Sequence, residues 1–395
     1  MSFTLNDFRQ EVKQELFNIA DYWIAHSIDK EKGGFYGKVD GRNKPDIDAP
    51  RAIVITSRIL WTFSAIQQLF PDPRYVMMAK RAFDYLLEHF IDKEFRGVYW
   101  SVTAEGKPLE QKKQLYGHAF AIYGLSEYYK ISEDEKALNA AKDIFSAVVH
   151  HAYDKNRGGY IEAFTRDWKD TDDYILCKGE SRKSMNTHIH LLEAFTNFYK
   201  VWKDESSRFH LEHCIHLMLD HIIDPLTNRM TLFFKEDWTH TSDTISYGHD
   251  IEASWLLWEA AEVLGDIKIK ARCKDASLKM AKAAIDGLAA NGAISYEYDP
   301  STKHLDESKQ WWPEAEAMVG FYNAYQLSGK VHFLEKSEKV WSFIKDHLID
   351  HKNGEWFSGV DANNKVIADD KINFWKGPYH NSRACMEIWK RLGEK

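Results

Sequence analysis

A chain of 395 residues, of which 44% are hydrophobic and 28% charged, has enough apolar side chains for a large globular core. Its formal net charge of −8 opposes binding to nucleic acid and to anionic membranes, so neither is expected as a partner. The first residues lack the apolar region of a signal peptide, no 18 apolar residues run together, and the four cysteines are scattered, which predicts a cytoplasmic protein with reduced thiols.

One sequence unit recurs six times along the chain: His or Asp, a short polar turn, usually a glycine, then alternating aromatics. Neighbouring copies are 62 or 63 residues apart, except for one step of 71. Each copy predicts a short strand or hairpin, because glycine permits the positive φ of a tight turn. The six copies centre on Gly34, Gly97, Gly159, Met230, Gly292 and Gly354.

Two helical stretches lie between successive copies. The first, such as residues 75–90 or 135–151, has one apolar stripe and predicts a half-exposed helix. The second, such as residues 57–70 or 251–264, is apolar nearly all round and must be buried on every side. This alternation predicts an all-α fold, an (α/α)6 barrel of six helix-pair repeats with short β-hairpins at one end, forming one catalytic domain over residues 1–395.

The buried helices all begin with polar, often ionisable residues. Antiparallel helix pairs in a ring would open all six of these N-termini at one end of the barrel, where a buried charge is costly unless it is paired or used. We therefore expect the functional pocket at that end. Its candidates in chain order are Thr56, Ser57, Arg58, Tyr116, His118, Asn186, His188, His190, Tyr247, His249, Asp250, Glu252, Glu314, Glu316, His380, Asn381, Ser382 and Arg383.

Some of these candidates have a simpler, structural explanation. His118 and His188 are expected to hydrogen-bond neighbouring loops, since nothing singles them out. Glu314 and Glu316 could simply complement the helix dipole in a first turn.

Two other pairs favour a ligand site. Asn186 and His190 are four residues apart and so share a helix face. Glu252 follows His249 by three residues, and a carboxylate there could orient the imidazole of a general base.

No metal or cofactor is expected. His210, His213, Cys214 and His216 resemble a metal cluster, but they lie on an outer helix without a known metal-binding signature. The chain also lacks a glycine-rich phosphate loop.

At the starts of its buried helices the chain resembles the N-acylglucosamine 2-epimerase superfamily, and within it the cellobiose 2-epimerases. The segments that carry the resemblance are TSRILWTFSA, QLYGHAFAIYGL, KSMNTHIHLLEAF, SYGHDIEASWLL, WWPEAEAMVGF and FWKGPYHNSRACMEIW. The family's two catalytic histidines match His249 and His380, and its arginine at the reducing-end oxygens matches Arg58. The further matches are Tyr116, Asn186, His190 and Glu252 at active-site positions, and Trp312 and Trp375 at sugar-holding positions, with Trp311 and Trp255 beside them.

The resemblance implies a cofactor-independent 2-epimerase acting on the reducing sugar of a β-1,4-linked disaccharide such as cellobiose or lactose. On this hypothesis the ring opens with help from His190. His380 then removes the C2 proton of the gluco sugar, His249 returns one, and Arg58 stabilises the enediolate. The oligomeric state is left open, a monomer included.

Three alternatives remain open. Epimerisation of free mannose or glucose, or aldose–ketose isomerisation, would use the same enediolate. A glycoside hydrolase would need paired carboxylates, which Asp250, Glu252, Glu314 and Glu316 could supply. A non-catalytic carbohydrate-binding role would not explain why two histidines face one site.

Overall fold

The computed structural model describes residues 4–368 and 370–393, and in that part of the chain twelve α-helices alternate between an outer and an inner layer. The outer helices are α1 (Leu5–His26), α3 (Pro73–Tyr85), α5 (Glu135–His151), α7 (Glu205–Leu217), α9 (Ile267–Ala284) and α11 (Val331–Phe343). The inner helices are α2 (Ile53–Leu69), α4 (Leu115–Ser132), α6 (Met185–Val201), α8 (Tyr247–Leu264), α10 (Trp311–Ser328) and α12 (Tyr379–Arg391). Outer helices α3, α7 and α11 continue in π-helical turns over Leu86–Phe90, Met218–Ile222 and Ile344–Leu348, respectively. Helix α9 continues in a 3-10 turn over Ile285–Gly287.

The inner helices form a closed ring. Each of them packs against the next, and α12 returns to α2. All residues of α4 from Leu115 to Tyr128 are buried, whereas outer helix α3 buries a single stripe that includes Met78 and Phe83. The predicted (α/α)6 barrel is therefore confirmed, and the apolar pattern of each helix follows from its layer.

Side-chain caps differ between the two layers. Five outer helices begin at a capping threonine or aspartate, whose oxygen accepts hydrogen bonds from first-turn N–H groups. Within the described chain, α6 is the one inner helix with such a cap, which is Ser184. The other inner helices follow directly on a strand or a loop. The capping residues of the outer helices are Thr4, Asp72, Asp134, Asp204 and Asp266.

Short antiparallel strands join successive repeats at the N-terminal end of the inner ring. They are β1 (Lys38–Val39), β2 (Pro45–Asp46), β3 (Arg51–Ala52), β4 (Ser101–Val102), β5 (Lys113–Gln114), β6 (Ala163–Phe164), β7 (Lys183–Ser184), β8 (Phe233–Phe234), β9 (Ile245–Ser246), β10 (Glu297–Asp299), β11 (His304–Asp306), β12 (Lys309–Gln310), β13 (Gly359–Val360) and β14 (Val366–Ala368). Strands β3, β5, β7, β9 and β12 each lead directly into an inner helix and pair with a strand of the next repeat, as Lys113 pairs with Phe164. β1 pairs with β2, β10 with β11, and β13 with β14.

The six repeated units form six tight turns after the outer helices, as predicted. Each is closed by one antiparallel bridge. Gly97 shows why glycine recurs there: its φ is 70°, and a Cβ at this position would lie 2.5 Å from Nε2 of His118. The bridges are Ile28–Phe35, Ile91–Val98, Tyr153–Tyr160, Ile223–Met230, Leu288–Ile294 and Ile349–Trp356.

Inner helices α4, α6, α8 and α10 hold these turns through one side chain each, here called the clamp residue. The clamp residues are His118, His188, Asp250 and Glu314, and they accept hydrogen bonds from the backbone N–H groups of Val98, Tyr160, Met230 and Ile294 at 2.8–3.1 Å. The predicted structural role of the two clamp histidines fits these contacts. Burial lowers the pKa of His118 and of His188 to about 3, so both rings are neutral acceptors.

The histidines on outer helix α7 also serve packing. His210 shares a hydrogen bond with the hydroxyl of Tyr160, and Nε2 of His213 accepts one from the N–H of Gly159. All four cysteines are buried and free. Over the described residues, none of the helices combines the length and apolarity needed to cross a bilayer.

Candidate active site

A cavity of about 380 Å³ opens at the N-terminal end of the inner ring. Ten of the eleven residues that the family resemblance assigns to the site line it, namely Arg58, Tyr116, Asn186, His190, His249, Glu252, Trp311, Trp312, Trp375 and His380. The remaining lining residues are Leu176, Tyr296 and Gln310, which come from loops and a strand between the helices. Tyr296 is one of the alternating aromatics after Gly292, but nothing in the sequence marked any of the three as a site residue.

Helical geometry explains how the inner helices supply both clamps and site residues. Two residues along an α-helix turn the side chain by about 200°, so the residue two positions after a clamp points to the opposite side, toward the barrel axis. Glu252 follows Asp250 in this way, and His190 follows His188. The six inward residues at this level are Arg58, Phe120, His190, Glu252, Glu316 and Arg383.

His380 is the better supported of the two predicted catalytic imidazoles. Its Nδ1 lies 2.7 Å from Oε1 of Glu316. A carboxylate can only accept, so Nδ1 carries the proton and the Nε2 lone pair remains for a ligand. Burial, followed by the charge of Arg58, lowers the pKa of His380 well below its usual value, so the free protein holds a neutral base.

His249 has a different partner from the one predicted. Its Nδ1 shares a 2.7 Å hydrogen bond with the hydroxyl of Ser246, the last residue of β9. Glu252 instead accepts a hydrogen bond from Arg383, so the prediction that Glu252 orients His249 is wrong. The side chain of Glu252 points toward the barrel axis, whereas β9, which precedes α8, places the hydroxyl of Ser246 beside the imidazole of His249. Burial lowers the pKa of His249 to about 3.

Both imidazoles contact the same indole. The ring centroid of Trp312 lies 4.5 Å from that of His249 and 5.8 Å from that of His380. Two neutral imidazoles from different inner helices, α8 and α12, therefore lie close enough together to contact one sugar ring.

Arg58 is buried, and no carboxylate of the described chain bonds its guanidinium directly. It donates to the hydroxyl of Tyr116 at 2.9 Å and to the carbonyl of Trp375 at 2.5 Å, and it lies 4.4 Å above the ring of Phe120. Among the described residues no carboxylate comes within ion-pair distance of it, and its buried Nε has no protein partner. An anionic oxygen in the cavity would satisfy this guanidinium.

A second network supports His190. Its Nδ1 lies 3.1 Å from Oε2 of Glu193, and the other Glu193 oxygen accepts from the hydroxyl of Tyr379 and from Arg383. Burial lowers the pKa of His190. Burial alone would raise the pKa of Glu193, but the charge of Arg383 and these hydrogen bonds hold it below its usual value. Glu193 was not predicted, although its i+3 spacing from His190 was a usable signal.

Arg383 joins three carboxyl groups below the cavity. It bonds Glu193 through Nη1, and through Nη2 it reaches Glu252 at 2.9 Å and Glu316 at 2.6 Å. Ligand atoms of Glu252, Glu316 and His380 lie within 4.8 Å of one another, close enough for a metal ion. A guanidinium already bonded to both carboxyl groups would repel such a cation, so this set fits a hydrogen-bond network better than a metal centre.

Trp255 is the predicted binding residue that does not line the cavity. Its Nε1 donates to Oε2 of Glu316 at 3.0 Å, and Arg383 lies 4.8 Å above its ring. It thus supports the carboxylate that holds His380. By contrast, Trp375 is 37% exposed at the mouth, and the buried Nε1 of Trp311 has no protein partner.

A smaller cavity of about 220 Å³ lies at the opposite end of the barrel, near the C-termini of the inner helices. Its lysines are paired with glutamates, as Lys200 is with Glu259 at 2.7 Å and Lys130 with Glu127 at 2.6 Å. The lysines complement the helix dipoles, and no histidine lines this cavity. We therefore assign the chemistry to the larger cavity.

Comparisons with known proteins show which family the chain is similar to. A model of the N-acylglucosamine 2-epimerase family matches residues 33–384. A cellobiose 2-epimerase of Bacteroides fragilis is 44% identical over 390 residues, which cover 98% of this chain and 99% of that protein.

The chain belongs to the N-acylglucosamine 2-epimerase family.

As a member of the N-acylglucosamine 2-epimerase family, the protein is an isomerase of the carbohydrate epimerase class. The solved cellobiose 2-epimerase of Spirochaeta thermophila is 37% identical, with a TM-score of 0.93 over 98% of this chain and 97% of that one. A D-mannose isomerase structure matches with a TM-score of 0.88 over 98% of this chain and 100% of that one, but at 19% identity this likeness shows the fold alone.

Proposed function

We propose that this protein epimerises C2 of the reducing-end sugar of a β-1,4-linked disaccharide. It would convert cellobiose or lactose into the corresponding glucosyl- or galactosyl-mannose, through ring opening, deprotonation and reprotonation of a cis-enediolate. The observation that carries the proposal is the pair of neutral imidazoles, His249 and His380, on one cavity with Arg58, to which no described carboxylate is bonded.

Ring opening comes first, because only the open-chain aldehyde makes the C2 proton acidic. His190 is suited to assist it: Nδ1–H donates to Glu193, which leaves Nε2 as an acceptor for the proton of the anomeric hydroxyl. Asn186, four residues before His190, also lines the cavity, and its buried Oδ1 accepts no hydrogen bond from the described residues.

Proton exchange at C2 follows. His380 takes the C2 proton of the gluco sugar at Nε2, and the positive charge that forms on its ring is stabilised by Glu316 through Nδ1. His249 then delivers a proton to C2 of the enediolate, and the roles exchange in the reverse reaction. His249 takes up a proton from water for this step, because a bound enediolate would favour its charged form, and His380 returns the C2 proton to water after turnover.

Arg58 stabilises the intermediate between these two transfers. As C2 loses its proton, negative charge moves to the C1 oxygen, where the guanidinium offers N–H donors without a competing carboxylate. Removing one donor of this kind typically costs about 2.7–4 kcal/mol of transition-state stabilisation. Trp312, which contacts both imidazoles, would cover the sugar and exclude water from the enediolate.

The disaccharide preference rests on the named relatives. Cellobiose 2-epimerases occur at 44%, 36% and 38% identity over nearly the whole chain, whereas the N-acylglucosamine 2-epimerases are 22–23% identical.

One NMR time course in D2O tests this function. Cellobiose, lactose and mannose are incubated separately with the protein, and we expect deuterium at C2 of both epimers of the disaccharides. A product epimer without deuterium would contradict the two-histidine scheme. A ketose product would instead indicate an aldose–ketose isomerase. Turnover of mannose alone would indicate a monosaccharide epimerase, and release of a monosaccharide would indicate a hydrolase.

A further inference from the structure

We propose that Glu252 is a neutral carboxylic acid in the working enzyme and donates an O–H hydrogen bond to an oxygen of the bound sugar. The inference rests on the proposed function for the identity of the ligand. The protonation state itself can be measured without turnover.

The first argument is the number of donors around each carboxyl group. Glu316 accepts from His380, Arg383 and Trp255. Glu193 likewise accepts from three groups, which are His190, Tyr379 and Arg383.

Glu252 has far less support for a negative charge. One donor reaches it, Nη2 of Arg383 on Oε1, and Oε2 has no hydrogen bond from the described part of the protein. Donors stabilise the ionised form of a carboxyl group, so the group with one shared donor is the one that keeps its proton.

The second argument is the charge balance of the buried cluster. When the three site imidazoles are neutral, the guanidinium groups of Arg58 and Arg383 face the carboxyl groups of Glu193, Glu252 and Glu316. Ionisation of all three carboxyl groups would therefore leave one uncompensated negative charge buried away from water. One protonated carboxyl group makes the cluster neutral. The titratable and charged groups that face one another here are Arg58 from α2, Tyr116 from α4, His190 and Glu193 from α6, His249 and Glu252 from α8, Glu316 from α10, and Tyr379, His380 and Arg383 from α12.

Electrostatics at Glu252 agree with both arguments. Burial first, and then the neighbouring charge of Glu316, raise the pKa of Glu252 well above its usual value. The opposing charge of Arg383 is shared with the two other carboxyl groups.

The position of Glu252 turns this protonation into a binding function. Of the three carboxyl groups, Glu252 is the one that lines the cavity. A carboxylate there would repel the negative charge of an enediolate, whereas a carboxylic acid can donate to it. No proton needs to leave Glu252: the acid polarises a sugar oxygen and retains its hydrogen.

Infrared spectroscopy measures the protonation state directly. Protein with 13C-labelled glutamate side chains is compared with Glu252→Gln at neutral pH, free and with cellobiitol, the unreactive alditol of cellobiose. We expect a protonated-carboxyl band that is missing from the variant and shifts to lower frequency when the alditol binds. Glu314, whose pKa burial also raises, provides a control band that Glu314→Gln removes and the alditol does not move.

Kinetics complete the test. Gln keeps a neutral donor, so Glu252→Gln should lower kcat/KM by about 10-fold, whereas Glu252→Ala should lower it by about 100-fold or more. Absence of the band, or a Gln variant as impaired as the Ala variant, would overturn the proposal. C2 deuteration by wild-type protein would still stand in that case, so failure of this inference is distinct from failure of the proposed function.

Discussion

At the scale of single residues, identical side chains have opposite tasks according to their position on the inner helices. His188 faces outward and accepts the N–H of Tyr160, while His190, about 200° further round α6, faces the cavity. Glu314 and Glu316 divide in the same way on α10: the first bonds the backbone of Ile294, the second His380. The residue type alone does not separate these roles, but the two-residue offset does.

Glu316 is expected to act as a positioning residue for His380. In Glu316→Gln the imidazolium that forms during proton abstraction loses its carboxylate partner, so kcat should fall by about 100-fold, with little change in KM. The primary isotope effect measured with C2-deuterated cellobiose should increase, because proton transfer becomes slower than the other steps.

Glu314→Gln, two residues earlier, is the matched control. Its amide oxygen can still accept from the N–H of Ile294, so thermal stability should change little and the isotope effect should stay as in wild type. A Glu316→Gln variant with an unchanged isotope effect would assign that residue a merely structural role.

At the scale of elements, the barrel is assembled from helix pairs tied together by buried polar contacts. Inner helix α6 holds the turn after α5 through His188, and β7 before it pairs with β8 of the next repeat. The proposed catalytic residue His249 depends on such a connection, since its partner Ser246 belongs to β9. The strands at the rim therefore orient side chains as well as linking repeats.

Loss of one clamp should destabilise the fold measurably. His188→Ala leaves the N–H of Tyr160 buried without an acceptor, which typically costs about 1–3 kcal/mol, in addition to a cavity. Urea unfolding should show a lower midpoint, and the exposed His304→Ala provides a matched control with an unchanged one. An unaltered midpoint for His188→Ala would refute the clamp role.

At the scale of the whole molecule, burial of neutral histidines links stability to pH. His118 and His188 have a pKa of about 3 in the folded protein and bind protons near pH 6.5 when unfolded. Between these values the unfolded chain binds more protons, so their contribution to stability is complete above pH 6.5 and is lost as the pH falls. Asp250 and Glu15, whose pKa burial raises to about 7, act in the opposite sense, because they add stability as the pH falls.

The contribution of one histidine is obtained by comparing variants. Each such group changes the unfolding free energy by up to about 1.4 kcal/mol per pH unit. Between pH 6 and pH 4.5, the unfolding free energy of wild type should therefore fall more steeply than that of His188→Gln. The two slopes, measured from urea unfolding curves, should differ by nearly this amount. Parallel pH dependences would mean that His188 is protonated in the folded state.

The amino-acid sequence by itself determined the repeat, the alternation of layers and the end of the barrel that carries the site. Each of these follows from local periodicity, because burial on one side or on all sides dictates where apolar residues fall along a helix. The resemblance of the helix starts assigned catalytic roles to His249, His380 and Arg58 among the polar candidates there.

Tertiary structure alone decided the partners of these residues. Ser246 rather than Glu252 meets His249, Trp255 lies behind Glu316 instead of lining the cavity, and Arg383 gathers three carboxyl groups from three helices. The contacts of Trp255 and Arg383 join residues on different helices, and their geometry depends on how the ring closes, which no local pattern encodes. Ser246 lies three residues before His249, and its position follows from the pairing of β9 with β10.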